Sequence, residues 1–154
     1  MFARIRQAKE KDQGFTLIEL LVVMIIIGVL AAIAIPVFLS QRAKAQDTAA
    51  KADVSTVGKE IATYFVDNTT APTSLAITSG RYTLSYGAAS TLDIGKASTN
   101  VVLNNPASGA LSTAGWTTTT WCIGVNNPNG SQKTYKYSAQ NGLETGACTS
   151  NTAP

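Results

Sequence analysis

The hydrophobic and polar positions divide the chain into three stretches with different periods. The first is residues 15–39, an almost unbroken apolar run that reads FTLIELLVVMIIIGVLAAIAIPVFL, with Thr16 and Glu19 as its polar members. As a helix rising about 1.5 Å per residue, this run spans about 37 Å, enough to cross a hydrocarbon core about 30 Å thick. The pattern therefore predicts one membrane-spanning helix.

From residue 40 the apolar positions become periodic. They recur at spacings of three, four and seven, which places them on one face of a helix. The members of this apolar stripe are Ala43, Ala50, Val54, Val57, Ile61 and Phe65. Asp47 and Lys51 lie four residues apart with the acid first, the order that favours an ion pair. We expect the helix to continue as an amphipathic segment over 40–67 and to end before Pro72.

Short β-type runs replace the helical period after Pro72 and predict a β-rich head domain over residues 68–154. The predicted strands are Arg81–Tyr86, Thr91–Ile94, Asn100–Leu103, Thr119–Val125, Gln132–Ser138 and a further short one near Cys148. The run of residues 126–130, Asn-Asn-Pro-Asn-Gly, predicts a hairpin turn, whereas residues 104–118 are expected to form a loop. The expected fold class is α+β, with the long helix packed on a small antiparallel sheet.

Charge changes this picture mainly at the N-terminus. Charged residues make up only 14% of the 154 residues, and the net charge is +3. Two of these three charges lie in residues 1–14, which contain Arg4, Arg6, Lys9 and Lys11 against Glu10 and Asp12. A basic stretch directly before an apolar run predicts that the N-terminus stays on the cytoplasmic side. The positive charge therefore does not indicate a nucleic-acid-binding surface.

The cysteines predict a disulfide rather than a metal site. The chain has two cysteines, Cys122 and Cys148, no C-x-x-C pair and no histidine, so the usual zinc patterns are missing. If the head domain is exported, a disulfide between the two is the natural expectation. Asp93 and Glu144 are isolated carboxylates, and the sequence shows no phosphate-binding loop or nucleophile elbow. We therefore predict no catalytic residue, no metal and no cofactor, and expect a protein that is not an enzyme.

Glu19 is the informative residue of the apolar run. An ionised carboxylate inside a bilayer costs about 2.5–3.5 kcal/mol on insertion scales, and somewhat less near the end of a helix. No basic residue lies near Glu19 within the run. Cleavage after Gly14 would create a cation, the α-amino group of Phe15, on the same subunit or on a neighbour. Opposite charges attract strongly in lipid, so this pairing would set the axial register between subunits.

Residues 14–42 resemble the N-terminus of type IV prepilins and pseudopilins. The similarity consists of Gly14 at the cleavage point, Phe15 as the first mature residue, Glu19 as the fifth, and an apolar run that ends in Pro36. The resemblance implies removal of residues 1–14 by a membrane-embedded prepilin peptidase and N-methylation of Phe15. It also implies that Glu19 guides the subunit into a growing filament.

The same resemblance implies an assembly role for the stretch between Gly28 and Pro36. In filaments of this family the corresponding stretch loses regular helical structure. Elementary physics supports the idea, because glycine is a weak helix former and Pro36 removes a backbone hydrogen bond to Ala32.

The implied life cycle has two locations. The precursor sits in the cytoplasmic membrane as a single-pass protein, and an inner-membrane platform with an assembly ATPase then polymerises it with its own copies into an extracellular filament. The main expectation is a major pilin of a surface fibre for adhesion, motility or DNA uptake. The alternative is a major pseudopilin of a type II secretion system.

Two simpler interpretations compete with a filament subunit. Residues 32–34, Ala-Ile-Ala, fit the cleavage site of a secretory signal peptide, but that interpretation leaves Glu19 and the continuing amphipathic helix unexplained. A plain anchor carrying a surface binding protein explains the basic flank and the length. It gives no reason for Glu19 or for the Gly14–Phe15 pair.

Overall fold

The computed structural model describes residues 14–87, 90–104 and 110–148. The expected leader, apart from Gly14, lies outside these residues. One long helix, α1 (Leu17–Asp67), opens the described chain and contains both the apolar run and the amphipathic segment. Two compact units meet within α1, between Leu39 and Ser40. The helix ends at Asp67, where the side-chain amide of Asn68 donates a hydrogen bond to the Tyr64 carbonyl (2.9 Å).

The residues after α1 form an antiparallel β structure. The strands of the described part are β1 (Ser74–Thr78), β2 (Arg81–Tyr86), β3 (Ser90–Lys96), β4 (Val102–Leu103), β5 (Ala110–Ser112), β6 (Cys122–Asn126), β7 (Thr134–Ser138) and β8 (Gly142–Thr145). They make two four-stranded sheets with the orders β3-β2-β1-β5 and β4-β6-β7-β8. The expected α+β class and antiparallel pairing are confirmed, but two sheets stand where one was expected.

Two strands were not predicted, β1 and β5. β1 is short and rich in serine, threonine and alanine, and it pairs with β2 through a two-residue turn at Ser79 and Gly80. Both turn residues have positive φ, 51° and 73°, as a type I′ hairpin requires. β5 lies in the stretch expected to be a loop. It pairs with β1, and its Leu111 is 4% exposed, so tertiary pairing and burial hold a strand whose local sequence signal is weak.

The predicted apolar stripe forms the core together with both sheets. Ala50, Val54, Val57 and Ile61 are fully buried, whereas Ala43 at its beginning is half-buried. The sheets contribute the buried side chains Leu75, Leu84, Trp121, Ile123 and Val125. Burial of large aliphatic and aromatic groups is the main stabilising term here, at about 1.5–3 kcal/mol per side chain. The amphipathic half of α1 is therefore the central element of the head.

A close approach between α1 and β7 depends on a glycine. A Cβ atom added at Gly58 would lie 2.5 Å from ring carbons of Tyr137. The Tyr137 ring cannot easily move away, because it is stacked on Trp121 with centroids 5.9 Å apart and planes 7° from parallel. Gly58 thus lets the helix and the second sheet pack in direct contact.

The predicted hairpin turn is confirmed, and a helix carboxylate holds it. The turn joins β6 to β7, and Asp47 accepts backbone N–H bonds from Ser131, Gln132 and Lys133 at 3.0–3.2 Å. Asp47 is 8% exposed. The expected ion pair with Lys51 is wrong: the ion pairs in the described ranges are Arg81–Asp93 and Lys136–Glu144.

The charge of Asp47 is stabilised by these amides. Burial by itself raises the pKa of Asp47, but the N–H donors of Gln132, Lys133 and Ser131 together outweigh it, so the pKa lies below its ordinary value of 3.8. Gly130 is required beside it, since a Cβ atom there would overlap Asp47 Oδ1. Asp47 therefore acts as a clamp that fixes the turn to the helix.

A second helix carboxylate holds the chain between the two sheets. Asp53 accepts hydrogen bonds from the Tyr82 hydroxyl (3.0 Å) and from the N–H (2.8 Å) and hydroxyl (2.7 Å) of Ser98. Burial, and then the charge of Asp53, raise the pKa of Tyr82, so the phenol remains a donor. The two bonds from Ser98 tie the segment that follows β3 to the middle of α1, and the bond from Tyr82 ties β2 to the same point.

Cys122 and Cys148 are joined by a disulfide with a Cα–Cα distance of 6.0 Å. Cys122 is the first residue of β6 and is buried, whereas Cys148 follows β8 and is half-buried. The bridge closes a loop of 26 residues and ties the end of the described chain to the central strands. In the chain-entropy model such a bridge contributes about 3–4 kcal/mol.

Candidate functional site

The expected processing and pairing residues lie together at the start of α1. One shallow pocket with a volume of about 240 Å³ is lined by Gly14, Phe15, Thr16 and Glu19. The side chain of Phe15 is 83% exposed, and a Cβ atom added at Gly14 would meet no atom within 4 Å. Among the described residues nothing covers the bond between Gly14 and Phe15, and Glu19 lines the same surface four residues after Phe15.

Thr16 has a role that was not predicted from the sequence. Its hydroxyl oxygen accepts the backbone N–H of Glu19 at 3.2 Å, so Thr16 is the N-cap of α1 and Glu19 is the third helical residue. The sequence Thr16-Leu17-Ile18-Glu19 has the spacing of a capping box, S/T-x-x-E, which was the available signal. This cap explains why α1 begins at Leu17 and not at Phe15.

Because Glu19 lies in the first turn of α1, the helix dipole is a second explanation for its charge, besides pairing between subunits. An acid in the first turn of a helix interacts favourably with the helix dipole, by about 0.3–1 kcal/mol. That gain is smaller than the 2.5–3.5 kcal/mol cost, on insertion scales, of an ionised carboxylate in a bilayer. Within the described ranges Glu19 has no cation within ion-pair distance. In a membrane its charge therefore still requires a partner.

The apolar run that follows is uncovered. Its most apolar 18-residue window has a mean hydropathy of 3.1 and contains no buried residue. Its large side chains are 47–84% exposed from Phe15 to Leu39. An apolar surface of this size needs lipid or protein to cover it. By length and composition, this helix fits both a membrane span and an N-terminal signal sequence.

Gly28 and Pro36 both lie within α1, which is helical through them. A Cβ atom at Gly28 would meet no neighbour within 4 Å, so nothing in the described chain requires a glycine there. Pro36 lacks the N–H that would bond to Ala32, and this weakens the helix locally. The expected loss of helix between them concerns the filament, and it stays a prediction.

No group of three or more potential metal ligands occurs within residues 14–87, 90–104 and 110–148. The predicted site residues lie at three places along the chain. These are the N-terminal group around Glu19, the Gly28 and Pro36 positions further along α1, and the disulfide of the head.

Comparison with known proteins places the similarity at the N-terminus. Residues 10–35 match a family model described as the prokaryotic N-terminal methylation motif. Over 66 residues the chain is 36% identical to type II secretion system core protein G of Pseudomonas aeruginosa, which covers 43% of this chain and 46% of the relative. No solved structure matches the chain.

Two further relatives are filament proteins by name. The type IV major pilin protein PilA of Myxococcus xanthus is 45% identical over 51 residues, covering 33% of this chain and 23% of the relative. The fimbrial protein EcpB of Eikenella corrodens is 61% identical over 36 residues, which is 23% of each chain. The chain spans less than half the length of these curated relatives.

Proposed function

We propose, from the premise that the N-terminal segment of this chain belongs to the type IV pilin and pseudopilin family, that the chain is a structural subunit which polymerises with its own copies into a filament. The observation that carries the proposal is the uncovered apolar half of α1, with a carboxylate at its start that has no cation within ion-pair distance among residues 14–87, 90–104 and 110–148. The role is structural and not catalytic. The covalent chemistry is done to the chain by a processing enzyme.

The processing step is cleavage between Gly14 and Phe15 by a prepilin peptidase, followed by N-methylation of Phe15. The exposed position of this bond next to the Thr16 cap supports it, since an enzyme can reach the bond without unfolding α1. Cleavage creates an α-amino cation on Phe15, and in the described part of the chain Glu19 has no other cation within ion-pair distance. Before cleavage the subunit is held in the cytoplasmic membrane by residues 15–39, with its N-terminus inside.

Assembly exchanges lipid for protein around the apolar half of α1. A neighbouring subunit that supplies its Phe15 amine to Glu19 places two opposite charges together at low dielectric, where each alone is penalised. A subunit at the wrong axial height leaves both charges unpaired. The pair thus selects the register, while the apolar surface supplies most of the contact area.

The filament is a surface pilus in the main proposal. The disulfide that closes the end of the described head supports an exported, exposed domain. The second candidate is a type II secretion pseudopilus, favoured by the longer aligned segment with core protein G. Electron microscopy of material sheared from the cell surface separates the two: long free fibres are expected for a pilus, and their absence at wild-type expression favours the pseudopilus.

Mass spectrometry of the membrane-bound and assembled protein tests the processing step. We expect a chain that begins with N-methylated Phe15, and a Gly14→Leu variant that remains a longer, membrane-trapped precursor. A mature chain that starts at any other residue overturns the proposed site.

A matched pair of variants separates charge pairing from helix capping. Glu19→Gln keeps the size and removes the charge, whereas Thr16→Ala removes the cap and keeps the charge. Because pairing needs the charge, Glu19→Gln should insert into the membrane normally and lose most filament yield. Thr16→Ala should assemble at nearly wild-type yield, since one cap is worth about 1 kcal/mol. Equal yields from the two variants would contradict the pairing.

A further inference from the structure

A cleft lies between the last two turns of α1 and the edge of the first sheet. Glu60, Tyr64 and Asp67 line it from the helix, and Tyr86 of β2 and Leu92 of β3 line it from the sheet. Its volume is about 480 Å³. We call this surface, defined by these five residues, the α1–sheet cleft. All its lining residues belong to the unit that begins at Ser40.

The cleft combines two carboxylates with aromatic and aliphatic walls. Glu60 and Asp67 lie seven residues apart, on one helix face, and both are exposed. The ring of Tyr64 lies beside that of Tyr86, with centroids 5.7 Å apart, and Leu92 is 36% exposed. A cation on a long aliphatic stem fits such a surface, since its stem covers the apolar wall and its charge meets the carboxylates.

The charge of Asp67 at the rim of the cleft is unfavourable in an isolated subunit. Asp67 is the last residue of α1, where the helix dipole presents its negative end, and the last turn contains no basic residue. Neither Glu60 nor Asp67 forms an ion pair with any residue in the part of the chain that the structure describes. A local arrangement that works against stability without compensation points to a partner of opposite charge.

The same helix carries the complementary charges at its other end within the head. Arg42 and Lys44 are exposed, and among the described residues neither forms an ion pair. Lys51 is already engaged, with its Nζ 5.2 Å from the centre of the Tyr135 ring. Arg42 and Lys44 cannot reach the cleft of their own subunit, because they precede Glu60 and Asp67 by 16–25 residues on one helix, about 24–38 Å.

We propose that Arg42 and Lys44 of one copy enter the α1–sheet cleft of a second copy and pair there with Glu60 and Asp67. The contact is head-to-tail: each copy offers its basic pair to one neighbour and its cleft to another, so repetition gives a filament and not a closed dimer. It requires parallel copies displaced by about 24–38 Å along the helix axis. This inference rests on the proposed filament function and adds a second register contact, in the head, to the one at Glu19.

Chemical cross-linking of filaments tests the contact directly. A carbodiimide joins a lysine Nζ to a nearby carboxylate as an amide, with the carboxylate oxygen leaving on the reagent. Wild-type and Arg42→Lys filaments should both yield peptides in which residue 44, or residue 42 of the variant, is linked to Glu60 or Asp67. Such a link is intermolecular, because the groups are at least about 24 Å apart within one helix. Filaments that give no such link overturn the contact.

Charge reversal provides the functional test in full-length protein. Glu60→Lys with Asp67→Lys, and separately Arg42→Glu with Lys44→Glu, should each lower filament yield by at least about tenfold, equivalent to about 1.4 kcal/mol per subunit added. Combining all four changes should restore most of the yield, because the pairs are again opposite. Reversed variants that assemble like the wild type, or a combined variant that stays defective, overturn the proposal.

The control is Lys59→Glu, which makes the same kind of charge change at an exposed helix position outside the cleft. It should leave the yield within about twofold of the wild type, well below the tenfold effect set by 1.4 kcal/mol. The membrane level of each variant, and the oxidised Cys122–Cys148 pair on non-reducing gels, report folding independently of assembly. If the wild type forms no filament at all, the proposed function fails together with this contact, whereas filaments without the cross-link refute the contact alone.

Discussion

Replacement of Asp47 by alanine removes the group that fixes the β6–β7 turn to α1. Three backbone N–H groups, those of Ser131, Gln132 and Lys133, then lose a charged acceptor. Hydrogen bonds to charged groups contribute about 1.5–3 kcal/mol each, but the turn lies near the surface, and water takes over part of that role. We therefore expect Asp47→Ala to lower the free energy of unfolding by about 2–4 kcal/mol, a large share of the 5–15 kcal/mol typical of a domain.

Asp47→Asn separates charge from shape. The amide oxygen can still accept one or two of the N–H bonds, so the expected loss is about 1–2 kcal/mol. The difference in unfolding free energy between the wild type and this variant should depend on pH. Because the folded-state pKa of Asp47 is lowered below 3.8, its stabilising contribution is complete above that value and is lost as the pH falls through the folded pKa. This difference in unfolding free energy should thus become smaller on acidification. A difference that stays constant with pH would refute the electrostatic argument.

The measurement is denaturant unfolding of the mature protein in detergent, followed by tryptophan fluorescence. Both tryptophans of the chain, Trp116 and Trp121, are buried in the head, so the signal reports head unfolding and not the apolar helix. Glu60→Ala is the matched control, an exposed acid on the same helix, and should change the unfolding free energy by less than about 0.5 kcal/mol. An Asp47→Ala midpoint equal to that of the control would show that the turn does not depend on the clamp.

Three other changes test the packing of the head in the same fluorescence assay. Gly58→Ala should destabilise the head by about 1–3 kcal/mol despite its better helix propensity, because the new methyl overlaps Tyr137; a stabilised variant would contradict this close approach. Replacing both Cys122 and Cys148 by alanine should cost about 3–4 kcal/mol, and an unchanged midpoint would mean that the bridge does not restrict the unfolded chain. Asp53→Ala should cost about 2–4 kcal/mol by releasing three hydrogen bonds, and a loss under 0.5 kcal/mol would show that they are replaceable.

The elements with a strong local signal were predictable from sequence. α1 follows from one unbroken apolar run and one regular stripe, and β2 has the predicted bounds Arg81–Tyr86. The division into two sheets was not predictable. It depends on β1 pairing with β5 across more than 30 residues, and no local pattern encodes which distant strand is the neighbour.

The carboxylates that hold the head to α1 could be predicted from sequence only in part. Asp47 and Asp53 lie on the same helix face as the apolar stripe, and a carboxylate at a buried position must find donors. Their donors come from residues 29 to 86 positions later in the chain, so sequence spacing does not reveal them. The T-x-x-E spacing predicts the Thr16 cap. The cost of a charge in lipid led instead to a prediction of charge pairing alone for Glu19.

The carboxylates of α1 divide into two classes, and the division bears on assembly. Asp47 and Asp53 are buried and receive several hydrogen bonds from their own chain, so they need nothing from outside. Glu19, Glu60 and Asp67 are exposed and, within the described residues, have no cation. If these three acids were exposed only by chance, neutralising them would not change filament yield. If instead they set the register, neutralising each should reduce filament yield without changing head stability, and neutralising Asp47 or Asp53 should do the reverse. If neutralisation lowered both filament yield and head stability at all five positions, the two classes of carboxylate would not differ. Both proposed contacts depend on that difference.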